Sequence, residues 1–509
     1  MHDRPLAVKI KTELAISGTV SSAPGNFKIL KPGSPPLFLG LGPDPASVLE
    51  RFNYNHGYYI ECPEFEQQMP LSWAKSIPSV LSRINLDTLG EINPEKLEII
   101  LYLPGLKSFP SFWSQILAMI RAGHFKPQAG PVRSSTIFVF GNEKSLLIPE
   151  ICWEIDKLEM KPILIHSETG PDDLKRILDQ VRPCMSISIN LQGMDPYGEN
   201  FALLRQLSIP VALWMVDNPF HLLTRIKSRF WTLAHIFVTD HWFINPLRKL
   251  GAQKVYHLPL AAAPGFFRSR IPQYASLENR AVFVGRSSFP ENKSFFAAAV
   301  RHGDLETQSL QLINQGHRPD FSWWAKKLNV KFWPENKVRD IGLGADRSSQ
   351  IWKKQFLELL AQKHPLTVFG DSAWKEFFPQ GFDIRAEVDY YGPLASIYSS
   401  ARFIINLTGM LLPWGLTQRH FDVWAARGFL ITDKTQGLDI FPQDLVQEIC
   451  FSNPEQMLSL VDSVSSNEKT KNQLTSDFRN LIKERHTYKN RLERIFNLLE
   501  LSHLQRSNL

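Results

Sequence analysis

This chain of 509 residues is most easily bounded by what it lacks. It has only four cysteines, Cys62, Cys152, Cys184 and Cys450, widely separated and without metal-ligand spacing. That excludes a disulfide scaffold and fits reduced, mostly buried thiols of a cytosolic protein. No apolar run approaches the ~18 residues of a membrane span, and Met1 to Val20 have no apolar core of the signal-peptide kind. The expected location is therefore the cytoplasm, with peripheral contact at the inner membrane as the most that is left open. There is no long Lys/Arg tract and no nucleic-acid reading motif, so no nucleic acid is expected as partner, although the net charge is +7 and favours anionic ligands. No Asp-x-Asp pair and no His/Cys/carboxylate cluster stands at metal spacing, so neither a metal nor a cofactor is expected. Repeats and low-complexity tracts are absent too.

What is present is ordinary globular material, 43% apolar and 11% aromatic, in a chain long enough for about two to four domains. Residues 1–130 form a first α/β block. Leu37 to Pro45 looks like a strand running into Gly40-x-Gly42, followed by a helix over Ala46 to Phe52 and a second strand, Gly57 to Glu61. That is a worn nucleotide-binding unit, and a plain structural turn is the preferred reading ahead of a working cofactor site. His124 to Ser135 looks like a linker. A second block, 131–270, alternates strands (Thr136–Phe140, Pro162–His166, Met185–Asn190, Val211–Val216, His235–Thr239, Lys254–Leu258) with helices. A third, 271–485, does the same with Ala281–Arg286, Leu366–Phe369, Val388–Tyr391, Phe403–Asn406 and Phe429–Thr432. Alternation at this spacing predicts parallel sheets covered on both faces. Residues 301–348 look like a helical insertion. The segment 486–509 ends in an apolar helical stripe, Tyr488, Leu492, Ile495, Phe496 and Leu499. Two such blocks bring the carboxyl ends of two sheets face to face, and the cleft between them is the expected site.

The chemistry-bearing residues cluster at strand ends. Gly285 follows a buried strand and lets a ligand approach the backbone; Arg286, with Lys293 beyond it, can fork onto phosphate oxygens. The competing reading is a strand-end turn with a solvated arginine. Arg419 and Asp422 stand at the start of a short helix, where N–H groups and the helix dipole suit a phosphate and an acid can take ribose hydroxyls; either residue alone is equally a surface arginine or a first-turn acid. In the second block Asp217, His221 and Asp240 lie at or just past strand ends. They are candidates for deprotonating an acceptor, with helix capping as the alternative for the two acids. With no metal expected, Arg286, Lys293, Arg419 and main-chain amides must neutralise a departing diphosphate.

Jointly, Trp214-x-x-Asp217-Asn218-Pro219, Phe283-Val284-Gly285-Arg286, Tyr391-Gly392, Ile405-Asn406-Leu407, Arg419-x-Phe421-Asp422 and His486-Thr487-Tyr488-x-x-Arg491-Leu492 resemble the CgeB-like (spore-maturation-protein type) glycosyltransferases, within the group-1 glycosyltransferases of the GT-B fold. The resemblance implies two Rossmann-like domains facing a cleft, preceded here by an α/β extension, with the last helix crossing back. It implies Gly285 and Arg286 at a diphosphate, Tyr391 and Gly392 near the base, and Asp422 on the ribose. Three positions depart: the family commonly has glutamate where this chain has Asp422 and another where it has Trp414, and the glycine after the short helix is displaced, with Arg427 intruding. The expected activity is metal-independent transfer of a sugar from a nucleotide-diphosphate sugar to a cell-surface polysaccharide or protein acceptor. The alternatives are a catalytically degenerate GT-B protein that binds a nucleotide or a protein partner, and a methyl or dinucleotide enzyme working from Gly40-x-Gly42 and Glu61.

Overall fold

The computed structural model describes residues 5–52, 54–85, 96–123, 134–378 and 381–501; most of the expected linker His124 to Ser135 lies outside them. Two parallel six-stranded sheets dominate. The middle sheet runs, edge to edge, Val255–His257, His235–Val238, Val211–Met215, Met185–Ile189, Thr136–Gly141 and Lys161–His166. The carboxyl-terminal sheet runs Asp383–Arg385, Leu366–Phe369, Ala281–Val284, Phe403–Asn406, Leu430–Asp433 and Cys450–Phe451. Central strands such as Thr136–Gly141 and Phe403–Asn406 are buried along their whole length. Their near-continuous apolar runs are what a parallel sheet covered on both faces requires.

Ahead of these lies a five-stranded sheet in the order Phe27–Lys31, Glu98–Tyr102, Pro36–Leu39, Gly57–Ile60, Leu81–Arg83, with one antiparallel edge. A two-stranded hairpin, Ala7–Lys11 with Ser17–Ser21, precedes it. The helix Pro110–Ala122 ties this extension to the middle domain: Arg121 pairs with both Asp172 and Glu199, at 2.8 Å each. The architecture is thus the GT-B-like pair of Rossmann-like domains with an α/β extension.

One expected strand is corrected, and the structural-turn reading of Gly40-x-Gly42 fits the packing around it. Val388–Tyr391 is not a strand; the edge strand is Asp383–Arg385. Asp389 explains why, because its carboxylate accepts from the Tyr391 N–H at 3.0 Å and its carbonyl from the Gly392 N–H at 3.1 Å, winding the chain into a turn. The loop Gly40-x-Gly42 is no nucleotide site. Glu61 accepts from the Leu41 and Cys62 N–H groups at 2.9 and 3.0 Å, and the Tyr102 and Trp113 rings stand over Gly40. The methyl or dinucleotide reading therefore has no space to work in.

The carboxyl ends of the two large sheets face each other across a seam. The Asn218 side-chain amide donates to the Leu411 carbonyl at 2.9 Å, and the Trp414 N–H donates to Asp240 at 2.9 Å. The helical insertion adds an aromatic seal: Phe321 and Phe332 meet Phe220, Trp242 and Phe243 of the middle domain, with Phe220 and Phe332 stacked at 4.5 Å. His221 is pressed into this seal against Gly342 of the long helix Val338–Lys363, where an added Cβ would lie 2.3 Å from the His221 Nε2. Gly342→Ala should therefore lower stability by ~1–3 kcal/mol through overpacking. Chemical denaturation checks this, and an unchanged midpoint would show that the seam yields.

Candidate functional site

In the carboxyl-terminal sheet the strand order reverses between Ala281–Val284 and Phe403–Asn406. Ligands of open α/β sheets bind in the crevice outside such a switch point. Arg419 spans that crevice. Its Nε donates to the Asn406 Oδ1 and its guanidinium to the Val284 carbonyl, each at 2.6 Å, and it lies against Gly285. Loss of hydration lowers its pKa. A Cβ at Gly285 would come within about 3.3 Å of both Phe283 and Arg419, so the two side chains close tightly on this position. The structure thus brings Gly285 and Arg419 together.

The loop after Gly285 is tied down from below. Lys353, from the long helix, donates to the Arg286 carbonyl at 3.0 Å, and burial pulls its pKa down to about 8. The Ser287 N–H and hydroxyl both donate to Asp371, at 2.8 and 2.7 Å. With the Arg286 and Ser287 carbonyls turned toward Lys353, the Arg286 side chain stands outward. It is 47% exposed and paired with Glu387 at 2.7 Å. Lys293 is exposed on the short helix Asn292–Phe295.

Asp422 has other partners than those expected. It is 1% exposed; one carboxylate oxygen accepts from the Ala263 N–H at 2.9 Å, the other from the Tyr390 hydroxyl at 2.6 Å. Burial raises its pKa to about 8, against these hydrogen bonds. A ribose cannot reach it in this arrangement. The domain linker, closing over a side chain one methylene shorter than glutamate, occupies the place. Tyr390 continues into Tyr391 and Gly392, both exposed, which line a cavity of about 290 Å³ with Glu150, Trp153, Phe266 and Arg268. A larger cavity, about 400 Å³, lies between the extension and the middle domain, away from every strand end named above.

Of the middle-domain candidates, one faces open space. Asp217 is exposed at the carboxyl end of Val211–Met215 and accepts from the Asn190 amide at 2.6 Å. Surrounding protein raises its pKa, against that hydrogen bond. The expectation that His221 and Asp240 look into the cleft is corrected. His221 is 5% exposed inside a ring of Phe289, Phe295, Phe296 and Phe321, and burial drives its pKa down to about 3. Asp240 is 1% exposed, caps Trp242 and accepts from the Trp414 N–H of the opposite domain. Burial raises its pKa to about 6. Among the described residues no group of three His, Cys, Asp or Glu could hold a metal ion, and no helix is long and apolar enough to cross a membrane.

Sequence reasoning missed Glu150, Tyr390 and Lys353. Glu150 looks like any first-turn acid, and the Tyr390–Asp422 contact spans 32 positions. Only Lys353, a lysine on the apolar face of a long helix, carried a local signal.

Residues 347–497 match the family model described as glycosyl transferase-like. That stretch holds the Tyr390–Gly392 loop, Arg419 and Asp422. No curated protein matches the chain. Among solved structures, a glycosyltransferase from Rickettsia africae is similar at 10% identity and a TM-score of 0.44, over 73% of this chain and 99% of that one. A T4 phage β-glucosyltransferase in complex with UDP and Mn2+ is similar at 9% and 0.40, over 73% and 99%. A UDP-forming trehalose-phosphate synthase from Burkholderia xenovorans is similar at 9% and 0.36, over 92% and 98%.

The Asp422 geometry sets a pH dependence. Its folded-state pKa is about 8 against an ordinary 3.8, so folding takes up a proton there. The stability it contributes is complete below 3.8 and is lost as pH rises through about 8. Asp422→Asn, uncharged and of the same shape, lacks that loss. Its melting temperature should gain on the wild type's between about pH 5 and about pH 9; a difference that shrinks as pH rises would contradict the assignment.

Proposed function

We propose that this protein is a glycosyltransferase, of the CgeB-like kind, that moves a sugar from a nucleotide-diphosphate sugar to a cell-surface polysaccharide or protein acceptor without a divalent metal. The observation that carries the reading is the switch-point crevice spanned by Arg419 at Gly285, within and beside the glycosyl transferase-like stretch. Arg419 supplies a fixed, partly dehydrated charge there, which acts more strongly on a developing diphosphate than one in bulk water. Arg286, next to Gly285, and Lys293, on the short helix that follows, are both exposed and would supply further positive charge. The Arg286–Glu387 pair is half-exposed, and such a pair is worth ~0–1 kcal/mol, so exchanging it for a phosphate costs little. Asp217, exposed at the strand end and held by the Asn190 amide, is the group suited to take the acceptor's hydroxyl proton. Metal independence rests on the missing Asp-x-Asp pair together with these cations. With its positive charge, the protein would work in the cytoplasm, at an anionic membrane surface at most.

The degenerate alternative draws support from one observation. Asp422 is taken by the linker rather than open to a ribose. Incubation with UDP-, GDP- and dTDP-sugars separates the two readings. Release of the nucleoside diphosphate, insensitive to EDTA, is expected. Asp217→Asn should cut transfer by ~100-fold or more while leaving donor binding in place. Donor binding with no turnover for any acceptor pool would favour the degenerate reading, and abolition by EDTA would overturn metal independence.

A further inference from the structure

We infer that Asn190 is a positioning residue: its side-chain amide fixes one oxygen of Asp217 and leaves the other free to take the acceptor's hydroxyl proton. The inference rests on the transferase reading above, in which Asp217 is the base.

Asn190 follows the strand Met185–Ile189, which pairs in parallel with Val211–Met215. Its N–H still donates to the Trp214 carbonyl at 2.9 Å. In a regular parallel ladder its own carbonyl would then accept from the Val216 N–H. It does not, because Asn190 and the buried Leu191 both turn into the left-handed region, at φ 51° and 62°. Two such residues in a row are strained, leucine more than asparagine, and persist only where their surroundings hold them. Arg225 supplies the hold. Its guanidinium donates to both carbonyls of the turn, to Asn190 at 3.2 Å and to Leu191 at 2.5 Å.

The Asn190 side chain takes the place its carbonyl has left. Its Oδ1 accepts from the Val216 N–H at 2.8 Å and from the Asp217 N–H at 3.2 Å. Its Nδ2 donates to the Asp217 Oδ2 at 2.6 Å. The orientation of the amide is forced, since two N–H groups meet one end and a carboxylate the other. Asp217 itself is exposed, and its Oδ1 has no hydrogen-bond partner among the described residues.

The pair lies at the seam. Asp217 leads into the short helix Pro219–Leu223, whose His221 ring stands 6.0 Å from that of Phe289, in the loop that begins at Gly285. The next residue, Asn218, bonds the Leu411 carbonyl of the opposite domain. Asp217 therefore borders the cleft on the side of the Gly285 loop. In the transfer, the acceptor oxygen bonds to the anomeric carbon and its proton passes to the Asp217 Oδ1. The bond from that carbon to the diphosphate breaks, and its electron pair leaves on the diphosphate. A carboxylate free to turn would offer its oxygens in many directions; with Oδ2 tied, Oδ1 is held in one. Were Asn190 only a closure for the ladder, its loss would change stability and not turnover.

Steady-state release of nucleoside diphosphate by the full chain, with UDP-, GDP- and dTDP-glucose as probes, separates the two roles. Asn190→Gly keeps the left-handed turn, which glycine adopts freely, and removes the amide. It should lower kcat by about tenfold or more at an unchanged donor KM, as a misplaced base does. Asn190→Asp keeps the shape, tolerates the turn and still accepts from Val216, but sets two carboxylates against each other, so one of them holds a proton. The rise of kcat with pH should then move upward by about one pH unit or more. Should Asn190→Gly fail to fold, the pH profile of Asn190→Asp decides alone. A wild-type kcat in the first variant with a wild-type profile in the second would overturn the inference, and the transferase reading would stand if Asp217→Asn still cuts turnover. Full turnover by Asp217→Asn would overturn the base assignment and this inference with it. No release by the wild type from any of the three donors would overturn the transferase reading as well.

Discussion

The two large domains are joined by a peptide whose backbone is held almost atom by atom, and the arrangement of the site follows from that clamp. Arg491 donates to the carbonyls of Pro259 and Leu260, at 2.8 Å each. The Gln418 amide donates to Ala261, the Ala262 N–H donates to the His486 carbonyl, and Asp422 accepts from Ala263. A linker buried between domains must have its polar groups paired somewhere. Here the partners come from the helix Arg419–Ala425 and from the start of the last helix, Tyr488–Leu498. The same last helix then reaches back to the middle domain, where the Tyr488 ring stands 6.2 Å from Trp214. The relative position of the two sheets is therefore set by hydrogen bonds at one end of the seam and by the aromatic seal of the insertion at the other.

That clamp explains why Asp422 and the linker cavity have to be considered together. An aspartate spent on the linker cannot also serve a ribose, yet its second oxygen accepts from Tyr390, which sits in the turn that Asp389 winds and that presents Tyr391 to Glu150. The acid acts on the cavity through the chain rather than by touching its ligand. The switch-point crevice is built separately, from Arg419 wedged at Gly285 and a loop held by Lys353 and Asp371.

Much of this was legible from residues alone, for a physical reason. Strands such as Thr136–Gly141 and Leu366–Phe369 are buried on both faces, so their apolar runs end sharply at turn residues. Gly285 after such a run marks a close approach whatever its partner. Illegible were features made by distant pairs or edge positions. Asp383–Arg385 is an edge strand with charges at both ends, so no apolar run announces it. Asp422 reads as a helix-start acid open to a ligand, and nothing nearby shows that Ala263 will close on it. His221 follows a strand end as a catalytic base would, but its surroundings come from Phe289, Phe295, Phe296 and Phe321, all in the other half of the chain. Glu150 gives no local sign that the Tyr391 hydroxyl, 241 positions away, will donate to it.

The central claim is that a nucleotide occupies the seam, with its phosphates toward Gly285 and its base toward Tyr391 and Gly392, which line the linker cavity. Amide hydrogen exchange of the full chain, with and without a saturating nucleoside diphosphate, tests it most directly. The account expects new protection in three segments, 148–153, 263–268 and 389–392, together with the loop 285–289. Protection confined to other regions, such as the groove between the extension and the middle domain, or unchanged exchange in all of these segments with nucleotide bound, would contradict it.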